Sequence, residues 1–167
     1  MGEVSPLNEL YNRFSDKGFE FLTVYVREPH PGENYHEHRT WEEKVRYACD
    51  CREQDGIRTK LVIDDLEGTM HQAYGEMPNM VYMIGKDGRV VYKSMWTHHG
   101  EIEAMLESLV LLDQAAEQGT RLRSSYTEKI SFVPGYAPEI SAKVLGRAGT
   151  KAASDFRAAI GGPRPGV

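Results

Sequence analysis

Only two cysteines, Cys49 and Cys51, occur in the 167 residues, and one residue separates them. So few and so close, they rule out the disulfide framework of a small secreted domain and point to a reducing compartment. No run approaches the roughly 20 apolar residues of a membrane-spanning helix, and the amino terminus has no basic-then-apolar signal pattern. Lysine and arginine form no cluster on a predicted face, and the formal net charge is -5. That balance argues against nucleic acid or an anionic membrane as the main partner. No internal repeat is found, which removes solenoid architectures. What remains is a soluble, cytoplasmic protein, long enough to bury roughly 70% of its unfolded surface without staples.

The informative stretch is Phe19 to His38. It opens with aromatic and β-branched residues, the composition of a buried strand, and ends in a loop holding three histidines and three glutamates. Open α/β sheets bind ligands beyond the carboxyl ends of their strands, so Glu28, His30 and His38 fall where such a site would lie.

Around this stretch the elements read in order. Ser5-Pro6 followed by Leu7, Leu10, Tyr11 and Phe14 predicts a capped helix from about Pro6 to Lys17, stopped by Gly18. A strand over Phe19 to Val26 is broken by Pro29, Pro31 and Gly32. Thr40-Trp41-Glu42-Glu43 is a capping box opening a second helix, with Trp41, Val45 and Ala48 on one face and an end near Gly56. Lys60 to Asp64 predicts a strand, and Thr69 to Tyr74 a helical turn or two. Asn79 to Ile84 and Arg89 to Lys93 flank the turn Gly85-Lys86-Asp87-Gly88, a hairpin. Ile102, Met105, Leu106, Leu109 and Val110 form the stripe of a long last helix. Beyond about Gln114 the pattern weakens, leaving Lys129 to Val133 as a candidate strand, Ala152 to Ala159 as a candidate helix and a frayed tail from Gly161.

Ser5 to about Leu112 resembles the thioredoxin-fold redoxins, and within them the iodothyronine deiodinase-like family. The resemblance rests on Val24-Tyr25-Val26-Arg27-Glu28-Pro29-His30-Pro31, on His38 ahead of the second helix, on Val62-Ile63-Asp64-Asp65, and on Met77-Pro78-Asn79-Met80-Val81-Tyr82. It implies an α/β, thioredoxin-like fold, a mixed sheet with flanking helices, truncated at the amino terminus relative to the family. Residues 1–113 would form this domain, residues 114–160 a carboxy-terminal extension packing on it or on a second subunit, and residues 161–167 a disordered tail. It also implies a cis peptide before Pro78.

The same resemblance implies a thiol-dependent oxidoreductase acting on a small-molecule or disulfide substrate, by reductive dehalogenation or by peroxide or disulfide reduction. Glu28 and His30 would move protons near the nucleophile, with His38 a third member of the relay or a contact for an aromatic substrate. Tyr25, Cys51 and Pro78 are further candidates for the substrate or redox site. No metal and no bound cofactor is expected, only an external thiol reductant. The family's Gly-Ser-x-Thr-(Sec or Cys)-Pro-Pro-Phe segment is not in this chain, so its nucleophile is missing here. Loss of the strand that precedes it would leave backbone groups unpaired. The favoured explanation is a native start upstream of Met1; the other is that Lys129 to Val133, or a second copy of the chain, completes the sheet, which predicts a homo-oligomer.

Two alternatives use the same residues. One is a catalytically silent thioredoxin-like module for binding or assembly. The other is a metal-binding loop, in which His30, His36 and His38 with Glu28, Glu33 or Glu37 would supply nitrogen and oxygen ligands. Cys49-Asp50-Cys51 is a poor disulfide on a helix, because residues two apart point about 200° apart around the axis. By the stripe of Trp41, Val45 and Ala48, Cys49 is the packed cysteine and Cys51 the exposed one, and the better candidate for a reactive thiol. His71 is expected on the surface, and Asp64-Asp65 at the amino end of the following helix.

Overall fold

The computed structural model describes residues 2–123, 125–126, 128–131 and 138–161. The protein is a mixed α/β chain. Its elements run α1 (Val4–Phe14), a 3-10 turn (Ser15–Lys17), β1 (Leu22–Tyr25), α2 (Trp41–Asp55), β2 (Lys60–Ile63), α3 (Thr69–Ala73), β3 (Val81–Ile84), β4 (Val90–Ser94), α4 (His99–Glu117), α5 (Pro138–Ala148) and α6 (Thr150–Gly161). No helix among the described residues is long and apolar enough to cross a membrane. The strands pair as two two-stranded sheets, β1 with β2 and β3 with β4, rather than as the one mixed sheet expected from the resemblance. The chain forms two compact units.

One unit comprises residue 2, residues 23–78 and the described part of 136–167. In it the Thr23 and Thr59 hydroxyls meet at 2.6 Å, and the Tyr25 carbonyl accepts from the Asp64 N–H at 3.0 Å. Both contacts advance in the same direction along the chain, the sense of a parallel pair joined by the α2 crossover. The Thr40 hydroxyl accepts from the Glu43 N–H at 3.2 Å, as the capping box predicts. Glu43 reaches back one residue further than expected, to the Arg39 N–H. At the other end Gly56 closes α2 with φ +68°, a conformation that suits a residue without Cβ.

The face that α2 buries is not the one expected. Trp41 is 45% exposed, while Lys44, Tyr47 and Ala48 are buried. Lys44 is the reason: its stem packs inward and its ammonium reaches the Asp65 carbonyl oxygen. The buried stripe is therefore 44, 47 and 48, which leaves Cys49 exposed and Cys51, on the same face, half-buried. That reverses the expected assignment of the two thiols. His71 is likewise buried rather than on the surface, its ring meeting the Met77 carbonyl oxygen at 3.3 Å. Asp64 accepts from the N–H groups of Asp65, Met70 and His71, and Asp65 from Thr69, so both serve the amino end of α3.

The other unit comprises residues 3–22 and the described part of 79–135. Leu10 and Phe14 of α1 pack on Ile102 and Leu106 of α4, with Leu7, Phe19, Phe21, Val81, Met83 and Val110 around them. Phe19 and Phe21 belong to this core and not to a strand, which is why β1 begins only at Leu22. The helix α1 starts at Val4, two residues before the expected start. Glu3 does not cap it; its carboxylate accepts instead from the His99 N–H at 2.7 Å, at the amino end of α4. β3 and β4 form the expected antiparallel hairpin, with an irregularity at Met83 and Ile84.

The described residues 129–131 form no strand, and Ile130 is 83% exposed, so they complete no sheet. Residues 132 and 133 of that candidate strand, and 162–167 of the expected tail, lie outside the described residues. No cis peptide occurs among the described residues, so the peptide before Pro78 is trans, contrary to the resemblance.

Candidate functional site

At the carboxyl end of β1 the chain delivers Tyr25 to a group of polar side chains. The Tyr25 hydroxyl lies 3.4 Å from Glu28 Oε2 and 3.2 Å from His38 Nε2, and the Tyr25 and His38 rings meet edge to face. Two of the three expected proton carriers thus share one phenol. A single phenol proton cannot serve both acceptors at once. When Tyr25 donates to Glu28, His38 must offer its Nε2–H to the phenol oxygen; when a protonated Glu28 donates to Tyr25, the phenol is free to donate to His38.

The electrostatics favour such an exchange. Burial raises Glu28 above the usual carboxylate range, against the opposing pull of the Arg147 cation. Burial, with the nearby Lys44 cation, lowers His38 below the usual imidazole value. The two proton affinities therefore move toward each other. Tyr25 stays protonated, pushed far above the usual phenol value first by burial and then by the charges of Glu28 and Cys51.

Cys51 enters here from α2. Its thiol donates to Asp55 Oδ2 at 3.5 Å, one helical turn on, and the same oxygen accepts from Arg147 Nη1 at 3.0 Å. Arg147 also stacks over the Tyr35 ring, 4.8 Å from its centroid. Burial raises the Cys51 thiol and Asp55 raises it further, while Arg147 opposes both. An open hollow lined by Asn34, Tyr35, Tyr47, Asp50, Gln54 and Arg147 lies beside this arrangement, and neither Cys51 nor Asp55 lines it.

The remaining candidates go elsewhere. His30 turns its ring edge-on to Phe156 of α6, 5.5 Å between centroids, and gives Glu28 only its backbone N–H. His36 is held between Glu43 Oε1 at 3.1 Å and the Tyr47 hydroxyl at 3.0 Å. His36 and His38 share the Tyr47 ring while His30 stands apart against Phe156, and no group of three or more His, Cys, Asp or Glu able to hold a metal occurs among the described residues. Pro78 is exposed.

Two participants were missed. Asp55 was legible, since Cys51 and Asp55 stand four apart on a helix and so share a face. Arg147 was not, because it lies in the stretch whose hydrophobic pattern is weakest. Compared with known proteins, the chain matches no family model, no curated protein and no solved structure.

Proposed function

We propose that this protein is a thiol-dependent oxidoreductase in which Cys51 supplies the sulfur and Tyr25, Glu28 and His38 handle protons. The observation that supports it is the hydrogen-bonded carboxyl–phenol–imidazole chain of Glu28, Tyr25 and His38, with a part-buried thiol on α2 whose ionisation would push the Tyr25 phenol up further. On this reading the thioredoxin-like, deiodinase-like scaffold stays a proposal from the sequence, which the divided sheet and the trans Pro78 peptide do not match, and the sulfur comes from α2.

The reaction runs by thiol–disulfide exchange. The Cys51 thiolate attacks a substrate disulfide; its S–S bond breaks, a mixed disulfide with Cys51 forms, and the departing thiolate takes up a proton. An external thiol then attacks the mixed disulfide and frees Cys51. A second external thiol releases the other half of the substrate, so two thiols are oxidised for each disulfide reduced. Reductive dehalogenation of an aromatic ring needs the same parts, a sulfur to take the halogen and an acid to protonate the ring carbon. A reducing cytoplasm is the compartment this chemistry implies.

A second reading is a silent thioredoxin-like binding module. It is favoured by the raised Cys51 thiol, since a protonated sulfur is a poor nucleophile, and by the exposure of Cys49 on another face of α2. Turnover of bis(2-hydroxyethyl) disulfide by the purified protein with glutathione separates the two. The oxidoreductase requires that turnover disappear in Cys51→Ser and persist in Cys49→Ser. Equal background rates in all three proteins would leave the silent module.

A further inference from the structure

We propose that the Asp55–Arg147 ion pair sets the charge state of Cys51, Asp55 holding the proton on sulfur and Arg147 favouring its release. This deepens the thiol reading and rests on it.

The geometry is specific. Cys51 and Asp55 are one turn apart on α2, and Asp55 Oδ2 accepts from both the thiol and Arg147 Nη1. Only 6% of the Asp55 side chain and 18% of the Arg147 side chain are exposed, so water screens this pair weakly. Asp55 Oδ1 is buried with no hydrogen-bond partner among the described residues, so the carboxylate is compensated from one side only. The charged and titratable groups around the sulfur are therefore Asp55 from α2, Arg147 from α5 and Tyr25 from β1. Tyr25 stays neutral at ordinary pH, which leaves the other two to decide the balance. With Asp55 in place the resting sulfur is a thiol, in keeping with the direction in which burial and this carboxylate shift it. Because the cation comes from α5, the seating of that helix against α2 becomes part of the control of the sulfur.

The test is the pH profile of iodoacetamide alkylation at Cys51, in the full chain carrying Cys49→Ser. Asp55→Asn should lower the midpoint by about one pH unit or more, as expected when a like charge close by is removed. Arg147→Met should raise it, and Arg147→Lys, which keeps a cation, should return it toward the parent value. Far-UV circular dichroism establishes that each variant is folded; if Arg147→Met is not, Asp55→Asn and Arg147→Lys still decide the matter. Identical midpoints in the parent and in Asp55→Asn would overturn the inference while leaving Cys51 a reactive thiol. A Cys51 inert at every pH in all the folded variants would overturn the thiol reading as well.

Discussion

Arg147 and Asp55, ninety-two positions apart, meet at 3.0 Å with both side chains largely withdrawn from water. Removing one member of such a pair strands the other. Arg147→Met should therefore lower the free energy of unfolding in urea by about 3 kcal/mol. Replacing both, as Asp55→Leu with Arg147→Met, should cost less than the single change. A single variant as stable as the parent would show that the pair is fully solvated.

A second attachment of the carboxy-terminal helices is steric. A Cβ on Gly32 would lie 2.1 Å from the Ala148 carbonyl oxygen, a backbone atom at the end of α5 that cannot step aside cheaply. Gly32→Ala should destabilise by about 1–3 kcal/mol, the usual cost of overpacking. The loss should come with faster hydrogen exchange in α5 and α6. Unchanged exchange there would contradict the close approach.

Electrostatics adds a third. Glu33 Oε1 accepts from the Thr150 hydroxyl, and Oε1 and Oε2 accept from the Thr150 and Lys151 N–H groups, capping α6, and these bonds pull the carboxyl down from 4.5 to about 2. A carboxylate depressed in the folded state stabilises above its unfolded value and loses that contribution as pH falls through the folded one. The difference in Tm between the parent and Glu33→Gln should therefore be full above pH 4.5 and vanish toward pH 2. A difference independent of pH would mean that the cap does not depend on the charge.

Asp64 is 5% exposed, and its two oxygens accept three backbone N–H groups, those of Asp65, Met70 and His71. Asp64→Ala leaves those donors without this acceptor, at a cost of about 1–3 kcal/mol for each that stays buried. Amide exchange at Met70 and His71 should accelerate in the variant more than exchange in α2. Protection retained at both amides would refute the assignment.

Much of the secondary structure was legible because local signals agreed: Thr40 with Glu43 at the start of α2, Gly56 at its end, and the Gly85 to Gly88 turn between β3 and β4. What was not legible depended on partners distant in sequence. Lys44 looks like surface lysine until its ammonium finds the Asp65 carbonyl, and that one misreading turned α2 by a residue and exchanged the two cysteines. Phe19 and Phe21 look like strand residues until α1 and α4 claim them. At the candidate site, Glu28 and His38 could be seen converging from the strand end, but His30 could not be seen turning to Phe156, because α6 gives the sequence only a weak apolar stripe. Arg147 had no local signal at all.

On the proposed function Cys51, and not the exposed Cys49, is the sulfur that meets substrate. Reduced protein mixed with bis(2-hydroxyethyl) disulfide in the absence of any other thiol, quenched in acid and mapped by peptide mass spectrometry, tests it most directly. A mixed disulfide on Cys51 of folded protein, at up to one equivalent, is the expected product. An adduct confined to Cys49, with Cys51 recovered as free thiol, would contradict it.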